Sequence, residues 1–172
     1  QPNGMNMELY GRGHILAPDQ GVGQDYWGAD THEYKINVAG HNTVSPNGKG
    51  ADNEMPQNLE IVHAEPAVID GGEPEKEISP NHQYVDAVNH FYTKEIRAEQ
   101  RRMLSIIRTS PQTGYFVDIF RSVVIDGDNK YHDYIYHNMG VGAEMFSSSG
   151  EPLQLTNLPL DSLSGKIGRA SC

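Results

Sequence analysis

The stretch Gly114-Tyr115-Phe116-Val117-Asp118-Ile119-Phe120-Arg121-Ser122-Val123-Val124 is rich in aromatic and β-branched residues. Such residues favour the pleated, half-buried surface of a β-strand. Asp126-Gly127-Asp128-Asn129 comes next, and an Asp-Gly pair is typical of a tight turn between paired strands. The sequence therefore predicts a strand over 114–124, a hairpin turn at 126–129, and a returning strand over 130–138.

The rest of the chain is punctuated in the same way, by Gly, Pro, Asn and Asp between short segments of strand-like pattern. The stretch 84–107 has helical spacing in its first part. Its apolar end, before a Pro-Gly turn region, favours two strands joined by the charged segment 95–100. Further strands are predicted at 5–10, 14–17, 33–39, 41–45, 59–63 and 67–69, with a last edge strand around 153–158.

About ten short strands, spaced by roughly 8–12 residues, are the pattern of a sandwich of two sheets. The predicted fold is all-β, an antiparallel two-sheet β-sandwich with little helix. We expect one domain over residues 1–163 and a disordered tail over 164–172, because the tail has no apolar periodicity.

Composition limits the possible partners. The 172-residue chain has a formal net charge of −10, which argues against nucleic acid or an anionic membrane. The charge also fits poorly with a polyanionic sugar unless a basic groove lies elsewhere. No apolar run approaches the roughly 18 residues of a membrane span, so no membrane insertion is expected. One cysteine, Cys172, allows no intramolecular disulfide, and cysteine usage leaves the compartment undetermined.

Two segments carry candidate metal ligands: Leu16-Ala17-Pro18-Asp19-Gln20-Gly21 and Gly40-His41-Asn42-Thr43-Val44. An acidic residue in a turn and a histidine opening a later strand can place a carboxylate oxygen and an imidazole nitrogen on one divalent metal, typically zinc. Taken alone, Asp19 is more typical of a turn residue that bonds nearby backbone N–H groups, and His41 is more typical of a strand-edge histidine bonded to backbone.

Other chemical groups carry weaker signals. Strict alternation would place His132 and His137 on opposite faces of one strand, so structural roles are favoured over a shared metal. Tyr26, in a glycine-rich loop, is more typical of a packing anchor than of a general acid or base. Scattered arginines are expected to pair with the many acids at the surface; they are Arg97, Arg101, Arg102, Arg108 and Arg121.

Five short segments, in this order, resemble the heparinase II/III-like polysaccharide lyases. They are 6–11, 16–21, 39–44, 117–121 and 132–137, and the His-Asn-Thr-Val segment is the most specific. This family joins an N-terminal α/α toroid to a C-terminal β-sandwich. The resemblance runs through most of the chain and implies the sandwich portion, with the toroid domain of the same protein outside this sequence.

The resemblance also implies a structural zinc, with Asp19 and His41 as two ligands and a histidine upstream of this chain as the third. The implied reaction is β-elimination on an acidic, uronate-containing polysaccharide. The family's catalytic groups lie mostly in the toroid, so no catalytic residue is assigned and this chain alone is expected to be inactive. A periplasmic or secreted bacterial location is implied by the resemblance only.

Two other functions are compatible with a β-sandwich. A non-catalytic carbohydrate-binding or structural sandwich would be supported by solvent-exposed aromatic rings in a row, but Trp27 is the single tryptophan. A cupin-type metalloenzyme would draw its ligands from a His-x-His motif, and the sequence contains none. The sequence leaves the natural polysaccharide and the endo or exo mode of cleavage unassigned.

Overall fold

The computed structural model describes residues 4–19, 38–51, 58–65, 79–140 and 142–156. The regular secondary structure of this part of the chain is antiparallel strand, apart from one short 3₁₀ turn at Val38–Gly40. The strands are β1 (Leu9–Gly11), β2 (His14–Ala17), β3 (Val44–Pro46), β4 (Asn58–Glu65), β5 (His82–Tyr92), β6 (Arg97–Arg108), β7 (Gly114–Asp126) and β8 (His132–Tyr134). Within the described ranges, no helix has the length and apolar character needed to cross a membrane.

The chain divides into two compact units, residues 1–50 with 130–172, and residues 51–129. In the first unit, β1 pairs with β2 and β3 pairs with β8, both antiparallel. Arg12 and Gly13, between β1 and β2, both have positive φ, as a tight hairpin turn requires. Buried apolar residues of this unit are Met5, Met7, Leu9, Ala17, Val38, Val44 and Ile135.

The second unit is a four-stranded antiparallel sheet in the order β4-β5-β6-β7. The connection from β5 to β6 is closed by Thr93, whose hydroxyl accepts hydrogen bonds from the backbone N–H groups of Glu95 and Ile96. Ser110 has the same role between β6 and β7. These hydrogen bonds between turn side chains and backbone explain how the chain reverses direction within a few residues between strands of 11 to 13 residues.

The core of the second unit lies on one face of this sheet. Phe91, Ala98 and Val124 are directly opposite one another on neighbouring strands, and Ala51 packs with them. Residues opposite in register share a face, so the strands present a continuous apolar row. Arg102 lies on the same face, 5% exposed, where the carboxylate of Asp118 compensates its charge.

The predicted all-β architecture is confirmed, since the described chain is antiparallel sheet with almost no helix, consistent with a β-sandwich. The predicted strands at 14–17, 59–63 and 114–124 correspond to β2, β4 and β7. The ambiguous stretch 84–107 is two strands, as predicted, although most of the charged segment 95–100 belongs to β6 rather than to the connection.

The predicted hairpin over 126–138 is wrong. Strand β7 pairs with β6, whereas β8 pairs with β3. Strand β7 does end at the Asp-Gly pair. Beyond this turn the chain is held by Asn47, whose side-chain oxygen accepts hydrogen bonds from the backbone N–H groups of Lys130 and Tyr131 at 3.0 and 3.2 Å. A turn signal therefore predicted the end of a strand without predicting the partner of the next one.

Several shorter predictions differ in extent. The strand predicted over 5–10 begins only at Leu9, and the end of the one predicted over 33–39 is a 3₁₀ turn. Near the predicted edge strand at 153–158, the described residues form an isolated bridge between Phe146 and Pro152. The remainder of the 33–39 strand, the strand at 67–69 and the tail at 164–172 lie outside the described residues.

Candidate functional site

Asp19 and His41 lie in direct contact in the first unit. Asp19 follows β2 after Pro18, and His41 follows the 3₁₀ turn, whose Val38 carbonyl accepts the His41 backbone N–H. His41 Nδ1 is 2.9 Å from Asp19 Oδ2, and the two side chains are 6% and 13% exposed. The structure thus brings together the two residues that the sequence predicts as metal ligands, in a largely buried position.

Asn6 holds the Asp19 carboxylate from the other side. Its side-chain amide donates to the same Asp19 Oδ2 that His41 contacts. The Asn6 side-chain oxygen in turn accepts the backbone N–H of Asn42 at 2.8 Å. Asn6 therefore links the Asp19 carboxylate to the backbone N–H that directly follows His41. This link fixes the position of the carboxylate relative to His41.

Asn42 connects four segments of the first unit. It is fully buried, and its amide nitrogen donates to the carbonyls of Met7 and Pro18, each at 3.0 Å. Its oxygen accepts the backbone N–H of His137 at 2.6 Å and lies 3.1 Å from the ring nitrogen Nδ1 of the same residue. A buried amide that uses both its donors and its acceptor is a rigid connection.

His137 is a third imidazole near this pair. Strand β8 ends at Tyr134, so the alternation that predicted opposite faces for His132 and His137 does not extend to His137. Burial lowers the pKa of His137, while a hydrogen bond with the Ala39 backbone and the charge of Asp19 act in the opposite direction. The structural role predicted for His137 is consistent with its bonds to Asn42.

His132, on β8, is the other histidine of this segment. Burial lowers the pKa of its imidazole, and the nearby charge of Asp133 partly opposes this effect. Its buried Nε2 has no hydrogen-bond partner in the described part of the chain. The structural role predicted for His132 stays a prediction.

The contact between Asp19 and His41 fits two ligands of one metal ion. Carboxylate oxygen and imidazole nitrogen are zinc-type donors, and bonds of about 2 Å place two ligand atoms on one ion a few ångströms apart. Across the described ranges, no group of three His, Cys, Asp or Glu side chains is arranged to hold a metal. The residues present therefore fit part of a zinc site, and the assignment of a metal stays a prediction.

The remaining candidates are distributed over both units. Arg102 and Arg101 pair with acids, as predicted for the arginines, although Arg102 is buried rather than at the surface. Tyr134 and Tyr136 form an exposed pair of rings, with centroids 6.4 Å apart and planes inclined by 22°. The carbohydrate-binding alternative would be supported by exposed aromatic rings in a row, whereas these two rings stack on each other. Tyr26 and Trp27 lie outside the described residues.

Asn6 and Asn42 were not predicted as site residues. Asparagine carries no charge and no metal preference, so composition and spacing gave no reason to select it. Both residues lie inside the segments 6–11 and 39–44 that carry the family resemblance. That resemblance is the sequence signal that could have identified them.

Comparison with known proteins relates the chain to one class of enzyme. It is 34% identical, over 157 residues, to the endo-acting ulvan lyase of Formosa agariphila; the match covers 88% of this chain and 19% of that protein. The chain thus spans about a fifth of the length of this relative. No family model matches the chain, and no solved structure matches it significantly. The chain is therefore a homologue of part of a polysaccharide lyase.

Proposed function

We propose that this chain is the β-sandwich portion of a heparinase II/III-like polysaccharide lyase that cleaves a uronate-containing polysaccharide by β-elimination. The observation that carries the proposal is the 34% identity to an ulvan lyase over most of the chain. The contact between Asp19 and His41 supports the finer family assignment, because these residues match the family's metal ligands. The periplasmic or secreted location that we propose rests on the family resemblance.

The proposed reaction removes the C5 proton beside a uronate carboxylate and expels the glycosidic oxygen from C4. It requires a base at C5, an acid at the leaving oxygen and neutralisation of the carboxylate. We propose that a toroid domain of the complete protein supplies the base and the acid. The sandwich portion would form one wall of the substrate cleft, and we assign no catalytic residue to it.

We further propose that Asp19 and His41 hold a structural zinc together with a histidine outside this chain. A structural zinc supplies folding free energy rather than reaction chemistry. Asn6 and Asn42 would hold the ligands in place, since Asn6 bonds the Asp19 carboxylate and the backbone after His41. Such supporting hydrogen bonds usually orient metal ligands.

The test of the activity uses the complete protein that contains this chain. It is incubated with ulvan, heparan sulfate and alginate, and the near-ultraviolet absorbance of the C4–C5 double bond is followed. We expect absorbance to grow with at least one substrate, and no growth with the 172-residue chain alone. An inactive complete protein would contradict the lyase proposal, and turnover by the isolated chain would contradict the placement of the catalytic groups.

The test of the metal is independent of activity. Zinc content of the complete protein is measured by elemental analysis for the wild type, Asp19→Asn and His41→Ala, with His14→Ala as the control because His14 is an exposed histidine of β2. We expect about one zinc in the wild type and the control, and a substoichiometric content in the two site variants. Equal zinc in all four proteins would exclude Asp19 and His41 as ligands.

A further inference from the structure

The four-stranded sheet of the second unit has two outer strands, β4 and β7. An outer strand presents unpaired backbone N–H and C=O groups, and proteins normally protect such an edge with charges, bulges or short strands. Strand β4 has these protections, since it is eight residues long, carries Glu60 and Glu65, and has a register irregularity near its centre. Strand β7 pairs with β6 in unbroken register from Gly114 to Val124, and no described strand pairs with its other side. Of the two edges, that of β7 is thus the less protected.

The hydrogen bonds before β7 show which of its backbone groups face the outer edge. The Thr109 N–H donates to the Thr113 carbonyl, whereas the Arg108 N–H donates to the carbonyl of Asn81, which directly precedes β5. Bonded and non-bonded pairs alternate along antiparallel strands. Odd-numbered residues of β7, beginning with Tyr115, therefore bond to β6, and even-numbered residues direct their N–H and C=O groups outward. The outward-directed residues are Gly114, Phe116, Asp118, Phe120, Ser122 and Val124.

The exposed apolar side chains of β7 are arranged symmetrically about Ile119. Tyr115, Ile119 and Val123 lie on one face of the strand and are 51%, 55% and 38% exposed. Ile119 is also the middle residue of the regular segment 114–124. When two copies of this segment pair antiparallel about Ile119, each Ile119 lies opposite its copy and each Tyr115 lies opposite a Val123. The same register pairs every outward-directed residue with another one, 114 with 124, 116 with 122 and 118 with 120.

The charged residues of β7 favour this register over its neighbours. A centre at Asp118 would place two carboxylates directly opposite each other, and a centre at Arg121 would do the same for two guanidinium groups. Like charges directly opposite across two strands are destabilising. A centre at Phe120 would place Ile119 opposite Arg121 and shorten the paired segment. In the register centred on Ile119, Arg121 lies opposite Val117 and Asp118 lies opposite Phe120, so no like charges meet.

The acidic character of the chain is not found at this edge. The whole chain has a formal net charge of −10, but residues 82–126, which contain β5, β6 and β7, have six basic and five acidic residues. Exposed charges separated by more than about 8 Å are largely screened at physiological ionic strength. The charge of the chain therefore does little to oppose the approach of a second copy along β7.

We propose that β7 is a dimerisation edge, at which two copies of the chain join their four-stranded sheets into one continuous antiparallel sheet with a two-fold axis at Ile119. Such an interface uses the same surface on both copies, as a closed dimer requires. The paired segment is about 37 Å long. An interface limited to one strand from each copy lies at the small end of specific interfaces, so we expect a dissociation constant on the order of 10 μM. The proposal is independent of the lyase function and of the metal.

The first test is sedimentation velocity of the 172-residue chain between about 1 and about 200 μM. We expect the wild type to change from monomer to dimer over this range. Ile119→Lys should raise the dissociation constant at least about tenfold, because it places two ammonium groups opposite each other at the axis. Ile125→Lys is the matched control and should change it less than about twofold. Ile125 is as exposed as Ile119, at 56%, but it is the extra residue of a bulge after Val124 and lies outside the paired segment.

Cross-linking tests the register itself. The two Ile119 residues would form a non-hydrogen-bonded pair, whose Cα atoms lie about 4.5 Å apart, within the range of a disulfide. In a chain that carries Cys172→Ser, we expect Ile119→Cys to give a disulfide-linked dimer with glutathione disulfide as the oxidant, and Ile125→Cys to give at least about fivefold less.

Three outcomes would overturn the proposal: a wild type that is still monomeric at about 200 μM, equal weakening by the two lysine variants, or equal cross-linking by the two cysteine variants. In the first case, a strand from the remainder of the complete protein becomes the candidate partner of this edge. Circular dichroism shows whether each variant folds, and the cysteine variants decide the question if Ile119→Lys does not.

Discussion

At the scale of single residues, Asn42 makes the most consequential contacts of the candidate site. Replacing it with Ala leaves the Met7 and Pro18 carbonyls and the His137 N–H without their partner. Each buried polar group that loses its partner costs about 1–3 kcal/mol. We expect Asn42→Ala to lower the free energy of unfolding by at least about 2 kcal/mol in urea titration. The exposed Asn138→Ala is the control and should stay within about 0.5 kcal/mol of the wild type.

The Asp86–Arg101 pair predicts a pH dependence at the same scale. The hydrogen bonds from Arg101 lower the folded-state pKa of Asp86. A lowered carboxyl pKa stabilises the fold above the unfolded-state pKa of about 3.9, and this stabilisation is lost as the pH falls through the folded-state value. Because the Arg101 side chain is largely exposed, we expect Asp86→Asn to cost no more than about 1 kcal/mol at pH 7.

Urea titrations of the wild type and Asp86→Asn from about pH 7 down to about pH 2 test this expectation. Their difference should shrink below about pH 4 and vanish at the lowest pH. Glu144→Gln, which removes an exposed acid outside the four-stranded sheet, is the control and should show no such trend. A difference that persists undiminished at the lowest pH would mean that packing, rather than the ion pair, causes it.

At the scale of elements, the long strands of the second unit were predictable and the pairing in the first unit was not. Alternation and turn residues within one segment define β4, β6 and β7. The pairing of β3 with β8 depends on contacts between residues more than 80 positions apart, such as Asn47 with Lys130. A local pattern contains no information on such partners, and this is why the Asp-Gly signal predicted a hairpin that does not form.

The end of β7 provides a prediction about backbone geometry. Gly127 has a φ of +93°, and a Cβ placed there would lie 2.2 Å from the Glu95 carbonyl oxygen. Gly150 has a φ of +84° with no atom within 4 Å of the same position. Replacing Gly by Ala at positive φ costs about 1 kcal/mol from backbone strain, and a clash adds to this.

We therefore expect Gly127→Ala to lower the unfolding free energy clearly more than Gly150→Ala. The Gly150→Ala variant has only the backbone strain of a positive φ and no clash. Thermal and urea unfolding of both variants measure the difference. Equal losses would show that the connection after β7 relaxes enough to remove the contact with Glu95.

At the scale of the whole molecule, the sequence predicted part of the candidate site. Asp19 and His41 were identified by resemblance to a family, and the structure places them in contact. Asn6, Asn42 and His137 complete their surroundings, but they come from three distant segments, and only folding brings them together. The opposition of Arg101 and Arg121 had no sequence signal, because these residues become neighbours only through the register of β6 and β7.

The two compact units lead to a last prediction, which rests on the proposed zinc. Asp19, His41, Asn42 and His137 all belong to the first unit, whereas the four-stranded sheet belongs to the second. A metal ion that binds only the folded state stabilises the part of the fold that holds its ligands.

We expect a chelator to lower the unfolding temperature of the complete protein. Amide hydrogen exchange should accelerate around residues 4–19, 38–46 and 132–137, with little change in β5 and β6. Asp19→Asn should reproduce this pattern without chelator, while Asp86→Asn should not. Uniform acceleration in both units, or none in the first, would contradict a structural metal held by Asp19 and His41.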